Sequence, residues 1–166
     1  MSVAAAFLLI AAAQAAPSTA DVACIIDRVP PAMYAALVDE AASGEQGPVR
    51  RAFEEAAQGC AAARSWSSEH VLATERAAAA QAAIDQASAR LERAGISPQL
   101  VRSWFAELPA EDQVDGDRVG AAANALIDDI VAAGGTPAMV EANLQNLGVM
   151  IGGLSNIARL RRQDRR

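Results

Sequence analysis

Few side chains in this 166-residue sequence can do chemistry, and they are widely spaced: His70 is the only histidine, and Cys24 and Cys60 are the only cysteines. A hydrolytic triad needs a nucleophile, a base and an orienting acid held together. The local chain around His70 offers Ser67, Glu69 and Thr74, and no G-x-S-x-G nucleophile elbow occurs anywhere. His70 therefore reads as a surface or capping residue near a helix start. One histidine and two distant cysteines fall short of a zinc set, and the cysteines form neither C-x-x-C nor C-x-x-C-H. Lysine is absent. Every cation is an arginine, which stays protonated and cannot act as an amine nucleophile.

The carboxylates are no better arranged. Glu54-Glu55 and Asp128-Asp129 are adjacent pairs, and neighbours on a helix point about 100° apart, so neither pair converges on one bond. A hydrolase would have to bring acids together from different helices. The acidic segment 111–117 has the flavour of a calcium loop, but with Gly116 at its sixth position the twelfth falls on Ala122 instead of a bidentate glutamate. A solvated turn is expected there. No phosphate-cradling or dinucleotide glycine motif is present. No metal, cofactor or catalytic residue is assigned.

Charge is distributed unevenly. Residues 1–155 hold nineteen acids against nine arginines, whereas the last eight residues hold Asp164 with Arg159, Arg161, Arg162, Arg165 and Arg166. An acidic body repels nucleic acid, which makes it an unfit partner. The basic segment 159–166 can meet an anionic envelope surface or an acidic envelope protein. It can equally serve only to complement the dipole of a preceding helix.

The amino-terminal residues set the expected compartment. Residues 3–13 form an uninterrupted apolar run that matches the h-region of a signal peptide and is too short to span a bilayer. Small residues follow, and cleavage is expected after Ala15 or Ala20, which makes 1–20 a signal peptide. The n-region has no basic side chain, so a retained anchor or a buried helix are the competing readings. Export to a periplasm or extracellular space turns Cys24 and Cys60 into an expected disulfide. Val22-Ala23-Cys24 also resembles the end of a bacterial lipobox, with Asp21 standing where that motif wants leucine.

These residues must be positioned by helices. Alanine dominates an apolar fraction of 52%, and aromatics are only 4%. Alanine favours closely spaced helices over sheet. Proline and glycine punctuate helices over about 21–29, 31–42, 48–64, 68–94, 98–108, 119–133 and 137–158. The expected fold is all-α, an Ala-rich bundle of about six or seven helices forming one domain over 21–158, with a basic tail at 159–166. Stripes are expected at Val49, Phe53, Ala56, Cys60 and Ala63, at Ala77, Ala80, Ile84, Ala87, Leu91 and Ala94, and at Val140, Leu144, Leu147, Ile151, Leu154 and Ala158. Leu100, Val101, Trp104, Phe105 and Leu108 make the densest apolar cluster. Gly148 and Gly152 are spaced as a G-x-x-x-G pair and are expected to admit a neighbouring helix of the same chain, in preference to a second copy.

The reading these features favour is an exported, non-enzymatic binding or scaffold protein. A carrier with a cavity between alanine-lined helices is the alternative, followed by a hydrolase built from carboxylates of different helices.

Overall fold

A computed structural model describes residues 17–44 and 47–163. Its described residues form eight helices and no strand: α1 (Thr19–Ile26), α2 (Pro31–Ser43), α3 (Pro48–Arg64), α4 (Ser68–Arg93), α5 (Pro98–Glu107), α6 (Gly116–Ala132), α7 (Pro137–Ala142) and α8 (Leu144–Gln163). Proline opens α2, α3, α5 and α7, where its missing N–H is one the helix would leave unbonded anyway. Ser67, Asp115 and Thr136 cap the helices that follow them by accepting backbone N–H bonds. At the end of α4, Gly95 adopts φ +81°, and the Ile96 N–H reaches back to the Leu91 carbonyl at 2.9 Å. Only glycine takes that left-handed conformation without strain.

The eighth helix arises because the stretch expected to run unbroken from 137 to 158 divides at Asn143. In a continuous helix the residue-143 N–H would bond the Met139 carbonyl. Here the Asn143 side-chain amide takes that carbonyl at 2.9 Å, and its backbone N–H turns to Val140 instead. Asparagine competes with the helix ladder in this way. The break shifts the apolar register, so Leu144, expected on the buried stripe, is 53% exposed, while Leu147 and Met150 are buried.

The core has two parts joined by α4. One gathers Ile25, Val49, Phe53 and Cys60 against the α4 residues Val71, Ala78 and Ala82. The other gathers Val101, Trp104, Phe105, Leu126 and Met150 against Ile84, Ala87 and Leu91. At 26 residues α4 is about 39 Å long, enough to serve both. Its alanines are buried on more than the single expected seam, since Ala78 and Ala82 are as enclosed as Ala77 and Ala80. Helix α8 makes with α4 the most extensive contact of any helix pair. Gly153 permits it: a Cβ there would meet Ile84 Cγ1 at 2.6 Å and the Ala80 carbonyl oxygen at 3.1 Å.

That finding corrects the expected role of the spaced glycines. A Cβ at Gly148 or Gly152 would meet nothing within 4 Å, so the G-x-x-x-G pair does not admit a neighbouring helix of this chain. The close approach falls one residue later.

Candidate functional site

Cys24 of α1 and Cys60 of α3 form a disulfide, with Cα atoms 6.3 Å apart. Cys60 is fully buried. The bond uses the sulfur that lipidation of Cys24 would require.

Beside this bridge lies the environment of His70. Helix α1 begins at a reciprocal cap in which Ser18 Oγ accepts the Asp21 N–H at 3.1 Å, and Asp21 Oδ2 accepts the Ser18 N–H at 3.1 Å. The same carboxylate receives Arg64 Nη1 at 2.7 Å and stands 3.5 Å from His70 Nε2. Trp66 packs edge-on to His70 at 5.0 Å, with the Arg64 guanidinium 5.9 Å from the Trp66 ring centre. Of the local partners read from the sequence, Ser67 Oγ accepts the His70 N–H and Thr74 Oγ1 donates to the His70 carbonyl. Asp21 was not legible as a partner, because 49 residues separate it from His70. The order of groups matters chemically: Asp21 stands between Ser18 and His70, so the imidazole faces a carboxylate and not a hydroxyl. A serine nucleophile needs the histidine in the middle. The cluster acts instead as a polar clasp that, with the disulfide, holds α1 to α3 and α4.

Burial raises the Asp21 pKa, but the hydrogen bonds from Ser18 and Arg64, with the charge of His70, outweigh it and lower the carboxyl below its ordinary 3.8. A lowered native pKa stabilises the fold above the unfolded value, and the contribution disappears as pH falls through the native one. An Asp21→Asn variant should therefore show a shallower decline of Tm than wild type on acidification below about pH 3.8. Parallel melting curves of the two proteins across that range, with Asn no flatter than Asp, would refute it.

Several other carboxylates are engaged locally. Glu54 pairs with Arg50 at 2.8 Å. Glu75, with its pKa raised first by burial and then by Glu54, faces the same patch. In the acidic segment, Asp115 Oδ1 accepts the N–H groups of Asp117 and Arg118 to cap α6, and Asp112 Oδ1 accepts from Arg118 Nη1 at 2.8 Å. Among the described residues no group of three or more His, Cys, Asp or Glu side chains is placed to hold a metal.

The arginines of 159–166 divide. Residues 159–163 continue α8; Arg165 and Arg166 lie outside the described residues. Arg159 Nε donates to the Val114 carbonyl at 2.9 Å and so ties α8 to the loop after α5. Arg161 and Arg162 line a groove of 780 Å³ that is bounded by α4, α5, α8 and that loop. Arg102 of α5 lines it as well. Its guanidinium donates to Ser88 Oγ at 3.1 Å and meets no carboxylate among the described residues. Arg161 and Arg162 have no hydrogen-bond or ion-pair partner among the described residues. Ile84, Phe105, Leu154 and Ile157 supply apolar lining, and no lining residue among the described ones is acidic. A smaller depression of 240 Å³, lined by Pro17, Val22, Ala77 and Leu160, shares Gln81, Ile157 and Arg161 with the groove and so adjoins it.

The loop that forms the rim is fixed by its own bonds. Asp112 and Gln113 N–H groups reach the Pro109 carbonyl, and Gln113 Nε2 donates to the Leu108 carbonyl at 2.9 Å. Asp112 and Asp115 are turned to Arg118 and the α6 cap, away from the groove lining. The groove can hold an anion beside apolar surface. No helix among the described residues is long and apolar enough to cross a membrane.

No family model matches this sequence, and no curated protein or solved structure matches it.

Proposed function

We propose that this chain is an exported, non-enzymatic binding protein of the periplasm or extracellular space, and that its ligand presents an anionic group to the groove between α4, α5 and α8. One observation carries the reading. In a chain of net charge −6, three arginines from two helices far apart in sequence line one groove with no acid among its described lining residues. Complementing the dipole of α8 accounts for Arg161 and Arg162, which lie in its last turn. It does not account for Arg102, which reaches the groove from α5. The groove volume lies in the range usual for ligand sites. The arginines of a scaffold contact and of a small-ligand site are then the same residues.

Export is supported by the disulfide, since such bonds persist chiefly in oxidising compartments. The apolar run 3–13 and Ala15 lie outside the described residues. Of the two cleavage points, the one after Ala15 suits the fold better. It leaves Ser18, whose side chain caps α1, whereas cutting after Ala20 removes that cap and the first two residues of the helix. Losing a serine cap typically costs about 1 kcal/mol.

Native mass spectrometry of the protein recovered from its own envelope fraction tests the reading directly. The expected species begins at Ala16, carries the disulfide and retains an anionic adduct that disappears in an Arg161→Glu/Arg162→Glu variant of unchanged melting temperature. Recovery of the chain without any adduct, or with the same adduct in the variant, would count against the site.

A further inference from the structure

Resting on the anion-binding reading above, we infer that the groove takes a single-chain amphiphile, with its phosphate or carboxylate head among Arg102, Arg161 and Arg162 and its hydrocarbon chain along the apolar lining. Both halves of this chemistry are present side by side. The cationic half has guanidinium groups with no carboxylate partner among the described residues, arriving from α5 and from the last turn of α8. Guanidinium forks suit phosphate and carboxylate oxygens, and they are weakly hydrated enough to sit against apolar surface.

The apolar half lies beside it. Ile84 and Phe105 are core residues whose edges reach the groove, and Leu154 and Ile157 are partly buried on α8. Past Gln81, Ile157 and Arg161 the surface continues into the adjoining depression, where Val22 and Leu160 prolong it toward the start of α1. A small inorganic anion would use the arginines and leave this apolar length uncovered. A neutral lipid would use the apolar length and leave the guanidinium groups of Arg102, Arg161 and Arg162 without an anionic partner in the groove. An amphiphile with one anionic head satisfies both. The rim needs no rearrangement to receive it, because the loop after α5 is pinned by Arg159 and by its own hydrogen bonds.

The test is calorimetric titration of the full chain, produced through an export pathway with its disulfide intact, using probes held below their micellar concentrations. Dodecyl phosphate should bind at least tenfold more tightly than either dodecyl maltoside or inorganic phosphate. Shortening the probe to decyl and octyl phosphate should weaken binding at each step, since each methylene buried contributes to affinity. In an Arg102→Gln/Arg161→Gln/Arg162→Gln variant, dodecyl phosphate should lose at least tenfold while dodecyl maltoside is unchanged. Ala158→Glu, which adds a carboxylate to the groove lining without removing any arginine, should lower dodecyl phosphate affinity alone and guards against misfolding of the triple variant. Inorganic phosphate binding as tightly as dodecyl phosphate, with no dependence on chain length, would overturn the amphiphile and leave the anion-binding reading standing. Binding that survives in both variants would overturn the two together.

Discussion

Replacing Cys24 and Cys60 with alanine should lower the stability of the folded chain by about 3–4 kcal/mol, the entropy that a cross-link over 36 residues removes from the unfolded ensemble. The loss should be uneven. The bridge joins α1 to α3 inside the part of the core that contains Phe53 and Val49. The part built on Trp104, Leu126 and Met150 has no cysteine. Hydrogen exchange should accordingly rise first and most in α1, α2 and α3, while the amides of α5 and the second half of α4 stay protected. Chemical reduction of the wild-type protein should reproduce both effects. A midpoint of urea unfolding unchanged by reduction, or exchange that rises evenly over all helices, would show that the bridge does not hold this half of the core.

A second large effect is expected at Gly153, where substitution by leucine should destabilise by about 3 kcal/mol or more. The site leaves no room: the nearest atoms to a new Cβ are Ile84 Cγ1 and the Ala80 carbonyl oxygen, and the latter belongs to the backbone of α4. Helix α8 must then lift from α4 along their shared face. Even alanine at this site should destabilise, because overpacking outweighs the roughly 1 kcal/mol that replacing glycine brings to a helix interior. Gly148→Ala is the matching control. With nothing within 4 Å of the new methyl group, it should raise stability by up to about 1 kcal/mol. Opposite signs at two glycines five residues apart on one helix distinguish packing from propensity. The same sign at both would refute the close approach.

The helices were legible because their ends are written in proline, glycine and small capping residues, which act locally. Pro31, Pro48, Pro98 and Pro137 each open a helix where expected. The division at Asn143 was not legible, since asparagine inside an apolar stripe is compatible with an uninterrupted helix until its amide is seen to take the Met139 carbonyl. Gly148 and Gly152 drew attention by their spacing, whereas Gly153, the residue in contact, has no such pattern; only the direction in which α4 lies separates them. The disulfide followed from the cysteine count and the expected compartment. The groove did not follow from anything local. Ile84, Arg102 and Arg161 line it from positions nearly eighty residues of chain apart, and the one available hint was Arg102 within the apolar cluster from Leu100 to Leu108. The arginines of the C-terminal segment were visible as a charge imbalance, but a count of charges cannot tell that Arg159 is used to hold a loop while Arg161 and Arg162 line a groove.

The pairing of α4 with α8 also orders events in time. Helix α4 exposes an alanine face that is covered only by a helix lying some seventy residues further along the chain, so during synthesis or translocation α1, α2 and α3 can gather on one side of α4 while its other side stays wet. Such long-range contacts form late, after the loop between them has closed. A nascent chain arrested before α8 should thus present a half-finished core to solvent and to chaperones, already stapled at one end by Cys24 and Cys60 and open at the other.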